Sequence, residues 1–298
     1  MAGVESIKKE NKRESASSRI IRRFKKHKAA VVSLVILMIF ILAAVFAPLL
    51  TPYDPAEITI DFGKPPSGEH LLGTDAVGRD MLTRLLYGMR VSLLVGLLST
   101  MIAITLGVVL GLISGYAGGA VDMIIMRFTD MVMSFPYILL VLVVAALVGP
   151  GLLNLIFIMG FTGWPGVARI VRGNVLSIKQ RHFIENRKVQ GMPFYYILFS
   201  EILPNTFAPV MVYATSAIAM SILDEAALSF LGMGVQSPTA SLGNLLSGVE
   251  SITVLRSQPW LWIPPGVVIV VLVVAINFIG DALRDAVDPH SEGALLKE

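Results

Sequence analysis

The sequence predicts an all-α, polytopic integral membrane protein with six transmembrane helices. Three observations carry this reading. The 298 residues are 55% hydrophobic, with a mean hydropathy of +0.74. Only 15% are charged, against about 25% in soluble domains. The apolar residues are gathered into six runs of the length that a hydrocarbon core about 30 Å thick requires. Cysteine is absent, which removes disulfides, thiolate catalysis and Cys-ligated metals from this chain and leaves its compartment open.

Residues 1–28 form a basic cytoplasmic tail that ends in Arg22, Arg23, Lys25, Lys26 and Lys28. A basic cluster abutting an apolar run sets topology and lies against anionic lipid, a better reading than nucleic-acid binding. Residues 29–50 carry no charge and make a first helix about 33 Å long at ~1.5 Å per residue. That run is too long for a cleaved signal core and is expected to be retained. Residues 51–90 read as an extracytoplasmic loop rich in turn formers such as Pro52, Pro55, Gly63, Pro65 and Pro66. Within it Thr74 and Asp75 are N-cap candidates for a separate amphipathic helix with Met81, Leu82, Leu85 and Leu86 on one face.

Residues 91–284 hold the five remaining spans, over 91–114, 131–148, 152–168, 203–223 and 263–280. Gly96, Gly107, Gly111, Gly160, Gly163 and Gly166 suit close helix packing in lipid. Pro136 should bend the third span, whose helix begins earlier, near Asp122. An outer loop over 227–262 is too interrupted by Gly, Pro and Ser to span, and is expected to contain a short re-entrant or gate-like helix near 242–249. Trp260 and Trp262 suit an aromatic belt. Residues 285–298 form a second cytoplasmic tail.

This topology places 19 of the 24 Lys and Arg residues on the cytoplasmic side and 5 outside, so both termini face the cytoplasm. The stretch 179–205 then lies in the cytoplasm between two spans. It is too polar to cross a bilayer, keeps helical spacing, and stops at Gly191, a helix-ending residue. Pro193 can open a following segment, and Leu203 with Pro204 leads into the next span. A solvated loop helix has the same spacing. No Gly-x-x-x-x-Gly-Lys-Ser/Thr stretch exists to cradle phosphates. His27, His70, His182 and His290 lie far apart in sequence and read as solvated histidines; no metal site is expected. Ser216 and Ser221 have no His or Lys partner in any span, which argues against an intramembrane protease.

Within 179–205, Glu185, Gly191, Leu203 and Pro204 keep the register of a motif in importer-type ABC permeases, Glu-Ala-Ala followed by glycine and later Leu-Pro. Three further stretches match in order: Leu72-Gly73-Thr74-Asp75 with Gly78-Arg79-Asp80; Glu225 to Gly234; and Asn277 to Asp281 with Leu283-Arg284-Asp285 and Asp288-Pro289. With Pro52 to Pro55, the chain resembles the dipeptide/oligopeptide/nickel permease family over about residues 29–290, and within it the second (C-type) permease subunit. Asn186 and Arg187 stand where that motif has two alanines, which puts the detail of docking in question, and Leu242 where the family more often has tryptophan.

The resemblance implies an importer type I ABC permease fold in a bacterial or archaeal cell (inner) membrane. The chain would form half of a translocation path for dipeptides or oligopeptides. Implied partners are a homologous permease, two cytoplasmic ATPases that hold ATP and Mg, and an extracytoplasmic solute-binding protein. The chain itself would bind no cofactor and catalyse no covalent step. The ATPase-coupling residues carried over are Glu185, Asn186, Arg187, Gly191, Leu203 and Pro204. For the path or outer gate the candidates are Asp224, Glu225, Arg79 and Asp80. Asp224 or Glu225 could attract a peptide's ammonium group, while their shallow position favours an interfacial anchor. A capped surface helix explains Arg79 and Asp80 equally. Asp281, Arg284, Asp285 and Asp288 have spacings that allow ion pairs. Nickel chelates or another small solute are alternative cargoes, and an ion-coupled carrier or a channel is the alternative class; mid-span charges and repeats that a carrier would want are missing from the sequence.

Overall fold

The computed structural model describes residues 16–248 and 251–287. Most of the 1–28 tail, Asp288, Pro289 and His290 lie outside this range. The helices in order are α1 (Ala16–Lys26), α2 (Lys28–Val45), α3 (Ala47–Leu50), α4 (Met81–Ala117), α5 (Gly119–Met133), α6 (Tyr137–Val148), α7 (Leu152–Lys179), α8 (His182–Val189), α9 (Phe194–Tyr196), α10 (Leu203–Phe230), α11 (Leu242–Ser247), α12 (Ile252–Ser257) and α13 (Ile263–Val287). A π turn, Ile197–Ile202, joins α9 to α10, and a 3-10 turn, Pro259–Leu261, precedes α13. Among the described residues five helices are long and apolar enough to cross a membrane, and six spans result when the pair α5 and α6, bent by 85°, is counted as one. The chain is a multi-pass membrane protein with α8 at one end of the bundle and the 51–80 segment with α11 at the other.

Pro136 does break the third span. Its helix starts at Gly119, ahead of Asp122, and pauses at Ser134–Pro136 before α6. The expectation of a separate amphipathic helix does not hold. Met81 to Ala117 is one helix of 37 residues, about 55 Å long at ~1.5 Å per residue, so the boundary at residue 90 falls inside it. Met81, Leu85 and Leu86 are buried in a cluster with Leu242, Leu245 and Leu261, because the 51–80 segment and the α10–α13 connection fold over this end of α4. Its N-cap is Asp80, which accepts from the Thr83 amide at 2.8 Å and the Thr83 hydroxyl at 2.7 Å. Thr74 and Asp75 lie upstream of it.

The most extensive packing joins α4 to α7. Gly107, Gly111 and Gly115 face Val167, Val171 and Val175, so a ridge of valines fills a groove of glycines. A Cβ on Gly111 would come within 2.7 Å of Val171 Cβ and 2.6 Å of the Ala168 carbonyl. Gly160 makes the reciprocal approach to Ile102. The helix of the fifth span begins at residue 194, ten residues before Pro204. Pro204 lacks the N–H that would bond the Ser200 carbonyl, and the π turn ending at Ile202 precedes it.

Candidate functional site

Two features bear on function: a largely apolar cavity between the helices that carries a few polar groups, and the surface of α8 at one end of the bundle. The cavity holds about 600 Å³. Four walls bound it: α4 with Ser99 and Thr100, the α5–α6 break with Val132 to Tyr137, α7 with Thr162 and Gly166, and α10 from Tyr213 to Asp224. Tyr213, Ser216, Ala217, Met220 and Asp224 recur at helical spacing, so one face of α10 lines it. Thr100 and Ser221 hydroxyls pair across α4 and α10 at 3.1 Å. Among the described lining residues Asp224 is the only charged side chain.

Glu225, one residue on, has the opposite surroundings. It is fully buried. The Ser92 hydroxyl donates to one carboxylate oxygen at 2.5 Å and the Ser229 hydroxyl to the other at 2.7 Å. Each hydroxyl in turn accepts a backbone N–H, from Leu242 at 3.1 Å and Val235 at 3.0 Å. Both carboxylate oxygens are thereby satisfied, and the carboxylate fastens α4, α10 and the start of α11 together. Close approach around it needs glycine: a Cβ on Gly243 would meet the Ala226 backbone, and one on Gly234 would meet Ser229. The Glu225-to-Gly234 stretch is therefore the interlock of this end of the bundle.

The Leu72-to-Asp80 stretch is built similarly. Gly73 and Gly78 adopt φ of 72° and 89°, and a Cβ at either would collide with a backbone carbonyl, of Lys64 or Thr59. The Asp75 side chain accepts the Val77 and Arg79 amides, both at 2.9 Å. Asp80 is buried at the α4 N-cap and pairs with His70 Nδ1 at 2.9 Å. His70, only 3% exposed, is thus a packed histidine rather than the solvated one expected, because Asp80 satisfies its ring nitrogen. The Tyr53 ring packs against it, tilted by 31° with centroids 4.9 Å apart. Burial, and then the Asp80 charge, raises the Tyr53 phenol above its ordinary value. Arg79 reaches across to the Ser237 hydroxyl at 2.8 Å. Trp260 is partly buried against Gly73 and donates to the Thr74 carbonyl at 3.3 Å, so it pins two connections together. The short helix expected near 242–249 is α11, capped by Ser241 and Asn244 in a capping box; residues 249 and 250 are outside the described range.

At the opposite end α8 covers the bundle. Ile184, its one fully buried residue, plugs a cluster of Val171, Val175 and Ile178 of α7, Ile197, Leu198 and Ile202 of the π turn, and Leu112 of α4. His182, Phe183, Glu185, Asn186 and Val189 face outward, and Val189 is 88% exposed. Gly191 ends the helix at φ 73°. Arg187 does not extend with Asn186. It donates from Nε to Glu201 at 2.8 Å and from a guanidinium nitrogen to Gln190 at 3.3 Å, folding back onto the π turn. Leu203 and Pro204 sit where that turn passes into α10. Tyr116, at the end of α4, carries Lys179 and Lys188 over its ring at 5.4 and 5.8 Å and Phe194 at its edge. Asp122 of α5 takes a bidentate pair from Arg172 of α7, both bonds 2.6 Å. Through these contacts α8 is packed against α7, the π turn and the end of α4. Asp285 of α13 turns toward His27 at 3.8 Å; among the described residues no ion pair joins Asp281 to Arg284, and Asp288 is outside them.

Of the candidate residues, the structure brings Glu185 to Gly191 into one surface element and puts Asp224 on the cavity. Glu225 and Asp80 lie in packed joints. Sequence reasoning missed Ser92, Ser229, Tyr116, Glu201 and the cavity hydroxyls. The recurrence of Tyr213, Ser216, Met220 and Asp224 along one helical face could have revealed the cavity wall.

Comparison with known proteins gives two family matches. Residues 107–292 match the family described as "Binding-protein-dependent transport system inner membrane component". Residues 15–66 match "N-terminal TM domain of oligopeptide transport permease C". The chain is 44% identical to the dipeptide transport system permease protein DppC of Alkalihalophilus pseudofirmus, over 90% of this chain and 88% of that protein. It is 42% identical to the oligopeptide transport system permease protein OppC of Haemophilus influenzae, over 90% and 86%. Identity to the dipeptide transport system permease protein DppC of Bacillus subtilis is 39%, over 90% and 84%. On these matches and its bundle of spans, the chain belongs to the inner membrane components of binding-protein-dependent transport systems, ABC importer permeases of the type I fold.

Proposed function

We propose that this chain forms one half of the translocation path of an ATP-driven importer for dipeptides or oligopeptides. The names of its relatives support the cargo, and the cavity is of a size to hold a short peptide. The assembly comprises a homologous permease, two ATPases on the α8 side that bind ATP and Mg, and a solute-binding protein on the opposite side. Both termini and α8 face the cytoplasm, as the excess of Lys and Arg there supports. The observation that carries the reading is α8 itself, whose outward face is free to dock while Ile184 is locked into helices that line the cavity.

ATPase closure presses on Glu185, Asn186 and the α8 surface, and the π turn passes the displacement to α10 at Leu203 and Pro204. ATP drives the path between its two states only if the ATPases contact α8 differently in each. Purification of the chain from its native membrane in mild detergent, with every co-purifying protein identified by mass spectrometry, tests this. Recovery of a second permease and ATPases is expected. A stable homo-oligomer that transports without an ATPase would overturn the reading.

A further inference from the structure

We propose that Asp224 is the point in the path that receives the α-ammonium group of the peptide. This rests on the peptide reading above. Asp224 lines the cavity while Glu225 beside it is consumed by Ser92 and Ser229. Among the described residues, no Lys, Arg or His lies within ion-pairing distance of Asp224, and Tyr137 and Tyr213 are the other titratable side chains on the cavity wall. An ionised group at membrane depth without a counterion is costly unless water or a ligand reaches it. Asp224 is half-buried and borders the cavity, which leaves it open to a ligand.

The remaining wall fits the same ligand. Thr100, Thr162, Tyr213, Ser216 and Ser221 offer neutral hydroxyls, which can serve peptide amides whatever the side chains are. The break between α5 and α6 opens on the cavity at Phe135 and Pro136, where non-helical backbone at membrane depth is tolerated because it borders water. One carboxylate amid neutral hydroxyls selects for a cationic group common to every cargo, and the α-ammonium is the group that all unmodified peptides share. An intermediate of modest affinity suits transport, because a bound group must also leave.

The test uses the whole importer, this chain with its co-purifying permease, ATPases and binding protein, in proteoliposomes with ATP. Uptake of Ala-Ala and Ala-Lys is compared. Asp224→Asn should lower the initial uptake of both by about tenfold or more, the scale of one charge-assisted contact, while Asp224→Glu keeps most of it. Loss confined to Ala-Lys would reassign the contact to a side-chain ammonium and overturn the proposal, as would unchanged uptake of both. Failure of the unmutated importer to take up either peptide would overturn the peptide reading itself. Because the chain has no cysteine, Asp224→Cys gives a second readout. An anionic sulfonate thiosulfonate reagent should restore uptake and a trimethylammonium one should not; equal responses, with the unmutated importer unaffected by either reagent, would overturn the site.

Discussion

Asp224 and Glu225 are adjacent carboxylates on one helix with opposite circumstances. Glu225 is sealed, with both oxygens hydrogen-bonded, whereas Asp224 borders a cavity of about 600 Å³ without a cationic partner among the described residues. The difference arises from helical geometry: successive residues lie about 100° apart on a helix with 3.6 residues per turn, so one side chain turns into the α4–α11 joint and the next into the cavity. A satisfied buried charge builds architecture, and an unsatisfied accessible one is available for a ligand. The α8 end repeats the contrast, since Arg187 is committed to Glu201 while Glu185 stands outward with only an exposed pairing to His182 at 3.6 Å.

The largest effect is expected at Glu225. Glu225→Ala should strand two buried hydroxyls at about 1–3 kcal/mol each, seen as a sharp fall in folded chain recovered from the membrane and in its melting temperature in detergent. A fully stable variant would erase the distinction between the two carboxylates. Next comes the glycine groove. Gly111→Leu should cost about 1–3 kcal/mol or more through overpacking against Val171, read by the same thermal melt, with Gly173→Leu, where an added Cβ meets nothing, as its tolerant control.

A functional effect without a folding effect is expected at α8. The charge reversal Glu185→Lys, on the outward face of the helix, should leave the chain inserted and assembled but separate ATP hydrolysis from uptake. Uptake per ATP unchanged in this variant would remove this helix from the coupling mechanism. The smallest effect belongs to Arg187, whose half-exposed pair with Glu201 should contribute about 0.5 kcal/mol. Arg187→Ala, which restores the alanine of the motif, should therefore shift the melt little and keep coupling; a loss of coupling would make the Arg187–Glu201 contact part of the transmission.

Much of this architecture is legible in the sequence. Charge-free runs gave the spans, Pro136 gave the break, and Gly191 gave the end of α8, because each acts through local chain physics. The 81–117 helix reads from sequence as two pieces because Arg84 and Arg90 interrupt its hydrophobicity. Arg84 is buried by tertiary contacts, donating to the Pro55 carbonyl at 3.2 Å and lying 3.7 Å from Asp75, and no local pattern announces that. The same holds for the site. Residue types at 224 and 225 mark the place, but which carboxylate is sealed depends on Ser92, more than a hundred residues away. His70 was read as solvated because Asp80, its partner, is brought to it only by the turns at Gly73 and Gly78.

Thiol reactivity in intact membranes tests the central contrast most directly. With no native cysteine in the chain, Asp224→Cys and Ser92→Cys each place a single thiol, one on the cavity and one on the buried Glu225 joint. A small, membrane-impermeant charged reagent should modify the thiol at position 224 and leave that at position 92 untouched. An inert thiol at 224, or equal modification of the two, would contradict the account.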